Sequence, residues 1–336
     1  MSSASTASIG LGEEYEEVQR GRRKKGKKDG GGSTEAKAVG SSRWTPYALL
    51  TPGFLWLAIF FVVPTITLFF TSLYVGSLDQ GYEFVPPGEW QTYVNALQEY
   101  WPQFLRSFLF AGLSTLFCLL LAYPLAYFIA FRSGRWKAAM LVLVIAPFFT
   151  SFLIRTLAWK TILADDSPVV GLMNTLHITD VLQRICVPPE LGGCLIEPGR
   201  VLNTPLAVVL GLTYNFLPFM VLPLYAALDR MDPRLVEAAQ DLYSSPWTAF
   251  RKVTWKLSLP GVVAGTLLTF IPAAGDYINA ELLGTTKIRM IGNVIQDQFF
   301  VITDYPTASA LSVMLMLVIL VMVTIYVRRA GTEELV

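Results

Sequence analysis

The chain has 336 residues, 53% of them hydrophobic and 15% charged, with a formal net charge of +1 and a mean hydropathy of +0.49. That balance is too apolar for a soluble domain and points to a membrane protein. With one histidine, His177, and three cysteines, Cys118, Cys186 and Cys194, in no metal-ligand spacing, the chain offers no zinc or haem site and no Cys/His nucleophile; no bound metal is expected.

Residues 1–43 lack periodicity and carry the run Arg20, Arg22, Arg23, Lys24, Lys25, Lys27 and Lys28. Such a segment cannot bury enough apolar surface to order itself, and it reads as a disordered basic arm in the cytoplasm. Within it GRRKKGKK, residues 21–28, nearly spells a phosphate-binding loop. Lys28 stands where a Ser or Thr must hold magnesium, and no strand precedes it, so the match is fortuitous. The first apolar run comes too late for a secretory signal peptide and is expected to remain as a membrane helix.

A hydrocarbon core about 30 Å thick takes about 20 apolar residues of helix. Six stretches qualify: residues 47–74, 104–131, 136–163, 205–228, 259–283 and 308–327. With the basic arm inside, Arg132, Arg135 and Lys137, then Arg230, Arg234, Arg251, Lys252 and Lys256, and finally Arg328 and Arg329 all fall on the cytoplasmic side. Both termini are therefore expected to be cytoplasmic, in a multi-pass protein of the plasma (inner) membrane. The spans contain Pro64, Pro124, Pro147, Pro218, Pro223 and Pro272. Helix breakers at membrane depth need neighbours or cavities to satisfy the freed backbone, which favours a jointed bundle such as a transporter or channel.

The outer loop over residues 164–204 carries Val169, Leu172, Leu176 and Leu182 at spacings that predict one face of a short helix lying on the membrane surface. Beyond it, Cys186 and Cys194 bracket the turn-rich VPPELGG on the oxidising side, where a disulfide can persist; two free thiols are the other reading. Cys118, at mid-membrane, reads as a packing residue.

Residues 229–260 are long for a connection between spans and predict two short cytoplasmic helices. Asp232 is placed to cap the first, with Pro233 in its first turn and Leu235, Ala238, Ala239 and Leu242 on one side; Ser245 and Pro246 open the second. Small residues beside Glu237 suit close approach of another protein, while the neighbouring basic residues suit a lipid surface. The fifth span is interrupted within FIPAAGDYINAELLG by Pro272, Gly275 and Asp276, with Asn279 and Glu281 following. An ionisable group in a span is a default functional candidate, and a cationic cargo is its simplest counterpart; hydration near the outer interface is the alternative.

The stretch Glu237-Ala238-Ala239-Gln240-Asp241-Leu242, with Phe250, Val253 and Leu259-Pro260-Gly261, resembles the EAA motif of binding-protein-dependent ABC importer permeases. The resemblance implies that Glu237, Ala238, Ala239, Leu242, Tyr243, Pro260 and Gly261 couple the chain to an ATP-binding subunit. Tyr243 departs from the pattern, which has glycine there, and a bulky residue takes a left-handed turn less readily. Residues 147–160 (PFFTSFLIRTLAWK), 170–174 and 271–310 are similar to the spermidine/putrescine permeases in particular. Asp276, Tyr277, Asn279 and Glu281 would then line the substrate path, with carboxylates and an aromatic face for ammonium groups.

Together these readings predict an all-α membrane protein, a six-helix type I ABC importer permease over residues 44–329 with a short tail at 330–336. The resemblance implies as partners a second homologous permease, a dimer of ATP-binding subunits, an extracytoplasmic solute-binding protein and the bilayer, with no nucleic acid among them. The chain itself is expected to bind no cofactor and catalyse nothing, ATP and Mg residing in the ATPase. Other readings are an ion-coupled secondary transporter or channel for organic cations, an ABC permease for another solute, and a membrane-embedded enzyme. Lack of clustered nucleophiles or ligands counts against the last.

Overall fold

A backbone inside lipid must satisfy its own hydrogen bonds, so long apolar runs become helices. The computed structural model describes residues 45–77, 81–85, 88–186, 188, 193–242 and 245–330. The basic arm, most of the VPPELGG turn, Tyr243 and the C-terminal tail from residue 331 lie outside the described residues. Among the described residues five helices are long and apolar enough to cross a membrane: Leu49–Thr71, Gln91–Phe131, Pro205–Asp229, Pro246–Ala274 and Tyr305–Arg329. A sixth crossing results when the bent pair Gly134–Phe149 and Phe152–Ile162 counts as one.

The chain divides after Val63 into two units. In the first, α1 (Thr45–Leu57) runs into a π-helical turn, Ala58–Val62. Its Phe54, Trp56, Phe60 and Phe61 are exposed, as expected of a helix solvated by lipid. The second unit begins within α2 (Val63–Thr71). A small antiparallel hairpin follows, β1 (Val75–Ser77) with β2 (Gly81–Glu83), a departure from the purely helical expectation.

The core of this unit is three helices. α8 (Pro205–Asp229) packs along both α3 (Gln91–Phe131) and α11 (Trp255–Ala274), which also touch each other. Lipid is as apolar as leucine, so helices associate in it through small residues and shape rather than hydrophobic force. Ala111, Thr115, Cys118, Ala122 and Ala126 form such a face on α3, all buried. On α11, a Cβ at Gly261 would lie 2.6 Å from Ala227 Cβ and 2.8 Å from the Pro223 carbonyl oxygen. The fourth and fifth spans therefore meet almost backbone to backbone at that level. Polar side chains add specific ties: the Cys118 thiol donates to the Thr213 carbonyl at 3.2 Å, and the Tyr123 and Ser258 hydroxyls lie 2.8 Å apart. α14 (Tyr305–Ala330) closes the bundle against α13 (Ile291–Phe300), α3 and α11.

Three sequence expectations change. The third span is not one rod: α4 (Lys137–Ile145) and α5 (Phe152–Ile162) meet at 94° across a short 3₁₀ turn, Ala146–Phe149. Pro147 lacks an amide hydrogen, and Thr150 (ψ 150°) and Ser151 (ψ 138°) adopt extended backbone, which ends the helix. Pro124, Pro218, Pro223 and Pro260, by contrast, sit inside unbroken helices. The second helix of the cytoplasmic loop, α10 (Pro246–Ala249), does not stand apart; a π turn at Phe250–Thr254 carries it straight into α11, so the fifth span begins well before residue 259. The outer loop holds two short helices, α6 (Pro168–Thr175) and α7 (Ile178–Leu182), divided at His177 by a left-handed φ of 55°. Val170 faces the core while Val169, Leu172 and Leu176 stay exposed.

Candidate functional site

α11 ends at Ala274, and the short helix α12 (Ile278–Leu283) starts three residues further on. The break, Gly275-Asp276-Tyr277, is held from outside by α13. A Cβ at Gly292 would lie 2.7 Å from the Gly275 carbonyl oxygen, so only glycine lets α13 start this close. Asn293 Nδ2 donates to the Tyr277 carbonyl at 2.9 Å and to Glu281 Oε2 at 3.2 Å. Backbone released by the break thus finds a partner within the bundle.

The four predicted path residues fall into two groups. Asp276 is 9% exposed and Asn279 fully buried, whereas Tyr277 and Glu281 are open at the chain surface. Asp276 Oδ1 accepts from the Asn279 amide nitrogen at 2.8 Å and from Asn279 Nδ2 at 3.1 Å. Asn279 Oδ1 in turn accepts from Asn215 Nδ2 on α8 at 3.0 Å and, more loosely, from the Thr156 hydroxyl on α5 at 3.4 Å. Asn215 Nδ2 also donates to Thr156 Oγ1 at 3.1 Å. A carboxylate at the break is thereby tied to the bent third span and to the fourth through one continuous polar network. Gly211, one turn before Asn215 on α8, leaves room for Asn279 and Leu283 against the helix.

Beside the network, Arg155 is 9% exposed; its Nε and Nη1 are buried without an acceptor. Its guanidinium lies 5.3 Å from the Phe148 ring centre and 5.6 Å from that of Phe152, within cation–π range of both. These rings continue into Phe219 and Phe216 on α8. Thr156, Asn215, Asn293 and Arg155 were not singled out from the sequence. The signal was there for two of them, since Arg155 is an ionisable residue and Asn215 an amide within otherwise apolar spans.

In the loop between the fourth and fifth spans, α9 (Pro233–Leu242) opens as predicted, with Asp232 Oδ1 accepting the Arg234 amide at 2.9 Å. Ser245 makes no side-chain cap on α10; Pro246 at the first position starts that helix instead. Ala239 faces inward at 4% exposed, while Glu237, Ala238 and Leu242 face out, Leu242 at 79%. The module rests on α3 through Phe250, whose ring centre lies 5.6 Å from that of Tyr123 and 6.3 Å from that of Tyr127. Pro260 and Gly261 are not on this surface: they lie inside α11, at its close approach to α8. On the opposite end of the unit, Cys186 and Cys194 are joined in a disulfide.

Residues 122–330 match the family described as binding-protein-dependent transport system inner membrane component. The spermidine/putrescine transport system permease protein PotB of Haemophilus influenzae is 35% identical over 276 residues, 82% of this chain and 90% of its own. The chain belongs to this permease family. The Escherichia coli PotB protein is 36% identical to the permease over 229 residues, 68% of this chain and 78% of the relative. The E. coli inner membrane ABC transporter permease protein YdcU is 31% identical over 231 residues, covering 68% and 72%. In fold, the permease is similar to the crystal structure of a bacterial ABC transporter involved in import of the acidic polysaccharide alginate, with TM-score 0.63 and 19% identity over 85% of this chain and 95% of that one. Membership decides between the readings the sequence left open: the chain is the membrane-spanning permease subunit of an ABC importer, a transport component of the inner membrane, rather than an ion-coupled carrier or an enzyme.

Proposed function

We propose that the permease forms half of the translocation path of an ATP-driven polyamine importer, carrying spermidine or putrescine inward by alternating access. A second, similar permease completes the path, two ATP-binding subunits dock on the cytoplasmic face, and a solute-binding protein delivers cargo outside. Both termini are cytoplasmic. ATP and Mg act in the docked subunits; this chain supplies the docking helix and the path.

The single observation that carries the cargo assignment is Asp276: a carboxylate set at a break in a span, with both of its hydrogen bonds on Oδ1 and none on Oδ2. A carboxylate with an open oxygen in a low-dielectric setting favours an ammonium group. The names of the PotB relatives support the same cargo class. On the cytoplasmic face, the outward Glu237, Ala238 and Leu242 support docking to a protein groove, with Glu237 offering one charge for an ion pair. Because α10 is continuous with α11, a push on the loop is transmitted along the helix that ends at Ala274, two residues before Asp276, and Gly261 locks that helix to α8.

The test is uptake of labelled putrescine and spermidine by the complete transporter in proteoliposomes, with ATP inside and binding protein outside. ATP-dependent accumulation of either amine is expected, and Asp276→Asn is expected to lower it about tenfold with the complex still assembled. No uptake by the wild-type complex removes the polyamine assignment. Uptake undiminished by Asp276→Asn removes Asp276 from the path.

A further inference from the structure

The polar network behind Asp276 is only half satisfied, and its unsatisfied part has one chemical character. Asn215 is 1% exposed. Its two amide hydrogens go to Thr156 Oγ1 and Asn279 Oδ1, and its Oδ1 is buried with no partner. Rotating the amide to exchange its ends would set two acceptors, Asn215 Oδ1 and Asn279 Oδ1, face to face at 3.0 Å, so the orientation is enforced by the network. Asp276 Oδ1 is doubly bonded as well, and its Oδ2, not itself fully buried, takes no hydrogen bond among the described residues. Within this network the atoms left without any bond are acceptors, one of them anionic. A buried acceptor with no donor costs about 1–3 kcal/mol, so a site that retains one is shaped for a donor it does not itself contain.

We infer that Asn215, held by Thr156 and Asn279, is a second cargo contact: with Asp276 it forms an ammonium-binding subsite between the bent third span, the fourth span and the break in the fifth. This rests on the polyamine reading above and adds to it a specificity-determining residue and a chemistry. The carboxylate supplies charge. The amide oxygen supplies a second, neutral acceptor, so that an ammonium with three hydrogens is matched better than a quaternary amine, which donates none. Thr156 and Asn279 are positioning residues, since their polar atoms are engaged in holding Asn215 and Asp276. Arg155 marks the limit of the subsite. Its free donors cannot bond an ammonium, and its charge repels one, so a cargo group beside it must be uncharged or anionic.

The experiment uses the complete transporter in proteoliposomes with saturating binding protein, comparing putrescine, spermidine and 4-aminobutanoate, in which a carboxylate replaces one ammonium of a diamine. Asn215→Leu keeps the approximate size and removes the acceptor; putrescine uptake is expected to fall about tenfold. Asn215→Gln keeps an amide that both donates toward Asn279 and presents an acceptor, and is expected to recover part of the uptake that Asn215→Leu loses. If Asn215→Leu fails to co-purify with its partners, Asn215→Gln decides alone, supporting the subsite when putrescine uptake is retained and overturning it when the assembled complex loses uptake. Putrescine uptake by Asn215→Leu within twofold of wild type overturns the subsite while leaving the polyamine reading standing. Wild-type preference for 4-aminobutanoate over putrescine overturns it as well, because the cargo would then answer to the Arg155 donors. A wild-type complex that moves neither amine removes the polyamine reading, and the subsite with it.

Discussion

The helix α9 and the break at Gly275-Asp276-Tyr277 lie at opposite ends of the route formed by α10, the π turn and α11, and they leave opposite kinds of surface open. α9 sends Leu242 and Glu237 outward, uncovered by the described residues, an arrangement that suits completion by another protein. The break does the reverse: Asp276 and Asn279 are drawn inward and bonded to Asn215 and Thr156, three elements converging on one amide. One region is left open by the fold, the other nearly finished by it. The difference teaches where each kind of substitution should register: in assembly at α9, and in stability and cargo handling at the break.

The largest expected effect is at the open end. Glu237→Lys should lower ATPase association about a hundredfold, since reversing one charge of an interfacial pair costs about 2–5 kcal/mol, while membrane insertion stays intact; co-purification measures it. Unchanged association would show that α9 is finished by lipid instead. Next comes the connection between the two ends. Gly261→Leu forces a side chain into Ala227 and the Pro223 carbonyl, and should destabilise the detergent-purified permease by about 1–3 kcal/mol in thermal melting, with ATPase stimulation by cargo reduced alongside. A normal melting curve would mean that α8 and α11 are not locked together. Asn279→Ala removes the centre of the network and should cost about 1–2 kcal/mol, the range for interhelical polar contacts in membranes, while leaving ATPase association unchanged. Loss of association in that variant would erase the contrast between the two ends. Gly112→Ala is the control: a Cβ there meets nothing within 4 Å, so stability should hold or rise by up to about 1 kcal/mol, measured in the same melting assay.

Much of the fold was legible because lipid imposes a simple demand. Where residues 205–228 and 308–327 are uniformly apolar, the helices found, Pro205–Asp229 and Tyr305–Ala330, differ only at their ends. The prolines pointed to a jointed bundle but not to which span bends most, because Pro147, Pro124, Pro218 and Pro223 look the same in sequence and only the first sits at a sharp bend. Whether a proline breaks a helix depends on what can take up the freed carbonyl, and that is a property of the neighbours. The loop was legible for a different reason: Asp232, Pro233 and the small residues after them carry local capping and a resemblance, both of which are written in adjacent positions.

By itself, the sequence determined the membrane class, the approximate number of crossings, the helix α9 and the choice of Asp276 as an intramembrane acid, since each follows from composition, period or local capping. Only the tertiary structure decided that Asp276 and Asn279 turn inward while Tyr277 and Glu281 turn out, and that Thr156 and Asn215 join them from other spans. Those residues are far apart in the chain, and hydrogen bonds between side chains act over about 3 Å, so no local pattern records the pairing. The same holds for Gly261: its neighbours in sequence show a proline and a glycine, and only the approach of α8 to within a methyl group's width makes the absence of a side chain necessary.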